Sequence, residues 1–334
     1  MGSSAFATEC AKPVPYEISV DPKLIEEAKT KAKLYRPSVN LNDGTSETWI
    51  EGPPAENITA LANYWAEDFD WFKFQDELNA NHSHYYVTVP GGLGYDHPVP
   101  LHFVHERSAR VDAIPLLMLH GWPSTHYEWA QVIKPLVSPE NNDTLAFHVV
   151  APDFPGFGFS PAALFEGFGP RQAGKVFGNL MRTLGYTKYG IATTDAGWYV
   201  GLWMVNDEVE HLIGHFTDFW LSQPNATDLE RLANNETDPV ENRYISSLQA
   251  FDNDFSAYMA IQSQSPLKVG QAMTDSPVGY AGWIWHHMQF CSDGYAYSFY
   301  EVITRTMLLW IPGAYGNIRV YREWTKVRYY RTIS

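Results

Sequence analysis

The 334-residue chain predicts an α/β fold, a mostly parallel sheet flanked by helices, preceded by a helical arm and followed by a helical lid. Three observations carry that expectation. Short, near-continuous apolar runs occur at Ile114 to Leu119, Phe147 to Ala151 and Tyr189 to Thr193, each ending in polar or glycine-rich residues; such runs mark strands buried on both faces. Between the last two lies a helical stretch opened by Pro170, with Val176, Phe177, Leu180, Met181 and Leu184 on one face and Gly185 closing it. The apolar period also changes along the chain: helical before His84, strand-like after it, and helical again from about Leu221.

Taken in order, Asp21-Pro22 starts a helix, because Asp caps and Pro fits the first helical position, and Pro37 is expected to end it. A second helix is expected from near Asn57 or Thr59 past Trp65, within a stretch dense in aromatics (Tyr64, Trp65, Phe69, Trp71, Phe72, Phe74) that reads as an arm packed over another part of the chain. Tyr86 and Thr88, then Val99, Leu101 and Phe103, read as strands around a turn at Gly91-Gly92. The three apolar runs follow, and Leu212 to Phe216 reads as a further strand. Beyond it the aromatic-rich helical pattern marks a lid. The expected division is 1–95 for the arm, 96–220 for the first part of the α/β core, 221–316 for the lid and 317–334 for a return to the core that is cut short.

The formal net charge of −15 repels phosphate backbones and argues against nucleic acid as a partner. No apolar run approaches the ~20 residues that span a bilayer, and no leader pattern is seen at the amino terminus, so a cytoplasmic chain is expected. Two cysteines, Cys10 and Cys291, make neither a disulfide framework nor a metal cluster. No metal or organic cofactor is implied.

In an open parallel sheet the reactive residues sit at the carboxyl ends of strands. Three such ends stand out. His120-Gly121-Trp122-Pro123-Ser124-Thr125 is a small-residue turn able to aim backbone N–H groups at developing negative charge. Asp153-Phe154-Pro155-Gly156-Phe157-Gly158-Phe159-Ser160 reads as a stiff scaffold loop, with Asp153 structural. Thr193-Thr194-Asp195-Ala196-Gly197-Trp198 has the small-x-nucleophile-x-small shape of a nucleophile elbow. A lone Asp at a strand end also caps helices, but the oxyanion-type turn upstream and the strand–helix–strand pattern between them favour Asp195 as a nucleophile. A carboxylate nucleophile attacks saturated carbon, as in opening an epoxide or expelling a halide, and disfavours serine-type acyl transfer.

At these residues the chain resembles the microsomal-type epoxide hydrolases of the α/β-hydrolase superfamily, in particular a fungal branch. The resemblance takes in the arm (Leu61-Ala62-Asn63-Tyr64-Trp65, Phe69-Asp70-Trp71), the strand Leu101 to Ser108, the three strand ends above and the lid segment Thr274-Asp275-Ser276-Pro277-Val278-Gly279. It implies Asp195 as nucleophile and the backbone N–H groups of Trp122 and Ala196 as the oxyanion hole. It also implies two lid tyrosines, Tyr258 and Tyr321, that hydrogen-bond and protonate the epoxide oxygen; a phenol of pKa ~10 is still a donor at neutral pH. Substrate and co-reactant would be a small apolar epoxide and water.

The family pattern continues past the point where this sequence stops, with two further strands, an acidic residue and a histidine. Here the sequence ends at Ser334, with no histidine after His287. The expectation is therefore an α/β-hydrolase core lacking its carboxy-terminal strands, and attack by Asp195 without the downstream base. Either the sequence is incomplete or the short chain is real and reacts once. His286 and His287 read as a polar lid face. The competing readings are an aspartate-nucleophile dehalogenase, which needs indole N–H donors for halide, and a non-turnover ligand-binding or cyclase homologue.

Overall fold

The structure, a computed structural model, describes residues 12–39, 49–141 and 143–326. The final segment 327–334, where the sequence departs from the family pattern, lies outside the described residues.

The arm forms β1 (Val14–Pro15), α1 (Pro22–Lys33), α2 (Ala55–Glu67) and α3 (Trp71–Asn81). Asp21 caps α1 through Lys23 N–H as expected, but the helix stops at Lys33, before Pro37, because the N–H of Leu34 closes the last turn on Thr30 and Ala32. Helix α2 begins two residues earlier than Asn57, directly after Pro53-Pro54. The arm's aromatics are core: Trp65 and Trp71 are fully buried, and Phe74 packs edge-on against Tyr127 and Tyr300.

Strands β2 (His84–Val89), β3 (Val99–Glu106), β4 (Ile114–Leu119), β5 (Phe147–Pro152), β6 (Tyr189–Thr193) and β7 (Leu212–Thr217) complete a seven-stranded mixed sheet in the order β1-β2-β3-β5-β4-β6-β7. The strands β5, β4, β6 and β7 are parallel to one another; β1, β2 and β3 join antiparallel. Helices α4 (Ala130–Val137), α5 (Pro170–Thr183) and α6 (Asp195–Asp207) cross between the parallel strands. Since β4 lies between β5 and β6, the loops after all three open on one edge, the crevice where parallel sheets hold their ligands. At the far edge, β7 is paired on one side only among the described residues, and Ile213 and Phe216 are exposed at 58% and 69%.

Past β7 the described chain is helical: α7 (Ala226–Ala233), α8 (Pro239–Ala250), α9 (Ala257–Gln264), α10 (Pro266–Asp275), α11 (Pro277–Phe290), α12 (Phe299–Trp310) and α13 (Ala314–Lys326). Arm and lid are packed together. Trp49 meets Trp285 edge-on at 5.2 Å, Tyr64 meets Phe299 at 5.9 Å, and Lys31 Nζ donates to Asp275. None of the described helices is long and apolar enough to cross a membrane.

Candidate active site

Strand β6 delivers Asp195 at the head of α6 with φ +40°, a left-handed conformation that costs a non-glycine residue of order 1 kcal/mol or more. The turn is possible because Gly197 and Gly121, which crowd against it, have no side chains. A Cβ on Gly197 would lie 2.3 Å from the Leu119 carbonyl, and one on Gly121 would lie 2.2 Å from Asp195 Oδ1. The strain is therefore built into the junction of β4, β6 and α6, as a nucleophile elbow requires.

Asp195 as a residue is half-buried, and its carboxyl group lies inside. Its Oδ1 accepts from the Trp122 backbone N–H at 2.8 Å, and the Ala196 N–H also bonds the carboxylate. Burial pushes its pKa up to about 6; the two N–H groups work against that rise, while Glu128 and Asp218 add to it. Asp195 is thus ionised at neutral pH but poorly solvated.

His120 secures the turn after β4. Its Nε2 accepts from the Phe154 N–H, so the proton is on Nδ1, which donates to the Gly121 carbonyl at 2.9 Å. Burial drives this imidazole toward neutrality, which suits the arrangement.

Above Asp195 stand the two lid tyrosines. Tyr258 on α9 and Tyr321 on α13 have ring centroids 5.7 Å apart and a hydrogen bond between their hydroxyls. The Trp122 indole stacks on Tyr258 at 5.3 Å and meets Tyr321 edge-on at 5.6 Å. Burial first, then the nearby Asp195 charge, raises the Tyr258 phenol, which keeps its proton. All five residues singled out in the sequence (Asp195, Trp122, Ala196, Tyr258, Tyr321) are therefore gathered in one place.

The sequence reading misplaced one residue and missed others. His287 is no polar lid face. It sits against Tyr258 at 4.3 Å and Trp122 at 5.1 Å, with Nδ1–H donating to the Trp283 carbonyl and Nε2 left as an acceptor. Burial lowers its pKa to about 4, so it is neutral at pH 7. Nothing local in Trp-His-His-Met signals which of the tandem histidines faces inward. Also missed was the buried ring around Asp153. Asp153 accepts from His102 Nδ1 at 2.7 Å, from His126 through both Nδ1 and backbone N–H, and from the Phe159 N–H. The ligand atoms of His102, His126 and Asp153 lie within 4.8 Å of one another, close enough for a metal ion. The carboxylate oxygens are already saturated by those four donors, so the group reads as a hydrogen-bonded fastening for the loop, in keeping with the structural role expected of Asp153.

The sheet, the lid and the strained carboxylate elbow define an α/β-hydrolase, and residues 114–211 match the family described as alpha/beta hydrolase fold. Residues 13–129 match the family described as Epoxide hydrolase N terminus. The juvenile hormone epoxide hydrolase of Manduca sexta is 31% identical over 291 residues, which cover 84% of this chain and 61% of that protein. Epoxide hydrolase 1 of Sus scrofa is 28% identical over 350 residues, covering 96% and 75%. The crystal structure of the juvenile hormone epoxide hydrolase of Bombyx mori superimposes with a TM-score of 0.85 at 25% identity, covering 96% of this chain and 79% of that one. The Aspergillus niger epoxide hydrolase shares the fold, with a TM-score of 0.80 at 23% identity over 94% of this chain and 79% of that one. Over these segments the chain is similar to proteins named epoxide hydrolase. It spans 61 to 62% of the length of two of the curated relatives it matches.

Proposed function

We propose that the chain performs the alkylation half of epoxide hydrolysis. The free carboxylate oxygen of Asp195 attacks a ring carbon, the carbon–oxygen bond of the epoxide breaks, and the departing alkoxide takes a proton from Tyr258 or Tyr321. The product is a hydroxyalkyl ester on Asp195. The observation that carries this reading is a carboxylate on a strained backbone, held by two backbone N–H groups and near Tyr258, whose phenol is hydrogen-bonded to Tyr321. Cleaving the ester needs water, a general base and an oxyanion hole. Trp122 and Ala196 supply the N–H groups for the hole.

Four buried indole N–H groups, of Trp129, Trp198, Trp283 and Trp285, have no hydrogen-bond partner among the described residues. They are donors of the kind a halide would use, so haloalkanes belong in the same assay panel. The test incubates the purified chain with styrene oxide and follows intact mass and diol together. A single adduct, lost in Asp195→Ala, is the expected outcome. Diol over many turnovers would place a working base within the chain. Neither adduct nor diol from folded protein would overturn the reading and leave ligand binding.

A further inference from the structure

Trp122 bonds Asp195 through its backbone, yet its side chain is the better anchored half. The indole Nε1–H donates to Asn317 Oδ1 at 3.2 Å. The same oxygen accepts from the Tyr280 hydroxyl at 2.5 Å, and Asn317 Nδ2 donates to the Leu309 carbonyl at 3.1 Å. Asn317 and Tyr280 are both 0% exposed. Three helices thus converge on one amide: Tyr280 from α11, Leu309 from α12 and Asn317 from α13. A buried amide with this many partners has one orientation, because turning it would leave polar groups unpaired at about 1–3 kcal/mol each.

Asn317 lies one turn before Tyr321 on α13, and residues four apart share a helix face. The helix is itself seated on the loop after β5. A Cβ on Gly156 would lie 2.8 Å from the Gly316 carbonyl carbon, and Arg319 donates to the Ala163 carbonyl. One rigid helix therefore carries a phenol above Asp195 and the amide that grips Trp122.

We propose that Asn317 and Tyr280 are positioning residues: they lock the Trp122 indole so that its backbone N–H stays on Asp195, and α13 fixes the spacing between that N–H and Tyr321. This rests on Asp195 being the alkylated group. It makes a demand that mere packing does not. The Trp122 N–H opposes the upward pull of burial on the Asp195 carboxyl. Loosening the lock lets burial gain, so the carboxyl must titrate at higher pH. Glu128, Asp218 and Tyr258 also face Asp195 and are untouched by the substitutions below.

The experiment measures alkylation by styrene oxide against pH, by intact mass, in wild type, Tyr280→Phe and Asn317→Ala. In parallel, the carboxyl of Asp195 is titrated by carbon-13 NMR in the unreacted proteins. Tyr280→Phe removes only a hydroxyl and keeps the ring, so it serves if Asn317→Ala does not fold. The expected result is about a tenfold slower alkylation at saturating epoxide, with the half-saturating concentration unchanged, as befits a disturbed N–H donor. The titration midpoint should move up by about half a unit or more. Folded variants with wild-type rate and midpoint overturn the proposal. If wild type forms no adduct, the alkylation reading fails while the NMR midpoint still decides the positioning: an unmoved midpoint sinks it and a raised one supports it.

Discussion

Asp153 and Asp195 follow β5 and β6, two strands separated by β4, at the same edge of one sheet, and the chain treats them in opposite ways. Asp153 has no exposure and four donors, two of them imidazoles; His126 and His102 hold its carboxyl well below the usual range against the opposing effect of burial. Asp195 has no cation beside it in the hydrogen-bond set, only backbone N–H groups, and burial wins, raising it to about 6. The first carboxylate has four donors, two of them imidazoles; the second has two backbone N–H donors. Location at a strand end does not separate a structural acid from a reactive one. The charge of the partners does.

The hydrogen-bond chain around Asp153 extends the contrast. The Leu78 carbonyl only accepts, so His84 Nε2 donates to it; His84 Nδ1 in turn faces His102 Nε2 at 2.9 Å, and His102 Nδ1 faces Asp153. With Asp153 ionised, that row is filled only if the two imidazoles share one proton beyond neutrality. Burial pushes each of them the other way; the directionality of the chain opposes that push and makes Asp153 half of a buried ion pair.

Four measurements can break or sharpen this comparison. The largest effect belongs to Asp195→Asn, which should lower the alkylation rate by about 10⁴-fold or more, since the amide is no nucleophile; a variant that still forms the adduct would end the assignment. Next is Asp153→Asn, which strands buried imidazoles and should cost about 3–5 kcal/mol in denaturant unfolding; a cost under about 1 kcal/mol would reduce Asp153 to an ordinary buried polar group.

Third is the pH dependence of stability, where the two acids should have opposite signs. Asp195 titrates higher folded than its ordinary value of 3.8, so the fold loses stability as pH rises from about 4 to 6. At pH 8 that loss is on the order of 2–3 kcal/mol, from a shift of about two units at 1.36 kcal/mol each. Asp195→Asn should therefore raise the melting temperature at pH 8 and leave it unchanged at pH 4. Asp153 titrates lower folded, so its contribution is present above about pH 4 and fades as pH falls through its folded value; the cost of Asp153→Asn should shrink in acid. Equal pH trends for the two variants would contradict the contrast. Smallest is the pH profile of alkylation itself: the rate should fall about tenfold per unit below pH 6 and be flat above 7, following ionisation of Asp195. A profile flat down to pH 5 would mean that the carboxyl is better solvated than its surroundings imply.

Much of this was legible in the sequence, and what was not has identifiable causes. Apolar runs announced β4, β5 and β6 within a residue, because strands buried on both faces leave little freedom of composition. The elbow was legible because its small neighbours are forced by contact: Gly197 against Leu119, and Gly121 against Asp195 itself. Strand order was not, since β5 pairs with β3 as well as β4 and no local pattern encodes the crossover. Asn317 and Tyr280 were invisible for the same reason: they meet Trp122 across 195 and 158 positions of chain. His287 was misread because helical spacing states which residues share a face, not what that face meets.

The left-handed turn at Asp195 has one more consequence. The residue is uncomfortable in its backbone and in its charge at once, so for folding alone almost any neutral side chain, and glycine above all, is an improvement there. A mutant library selected only for surviving heat at pH 8, with no substrate present, should accumulate replacements at this position. The proposed nucleophile would then reveal itself as the place where heat selection prefers to discard the native residue.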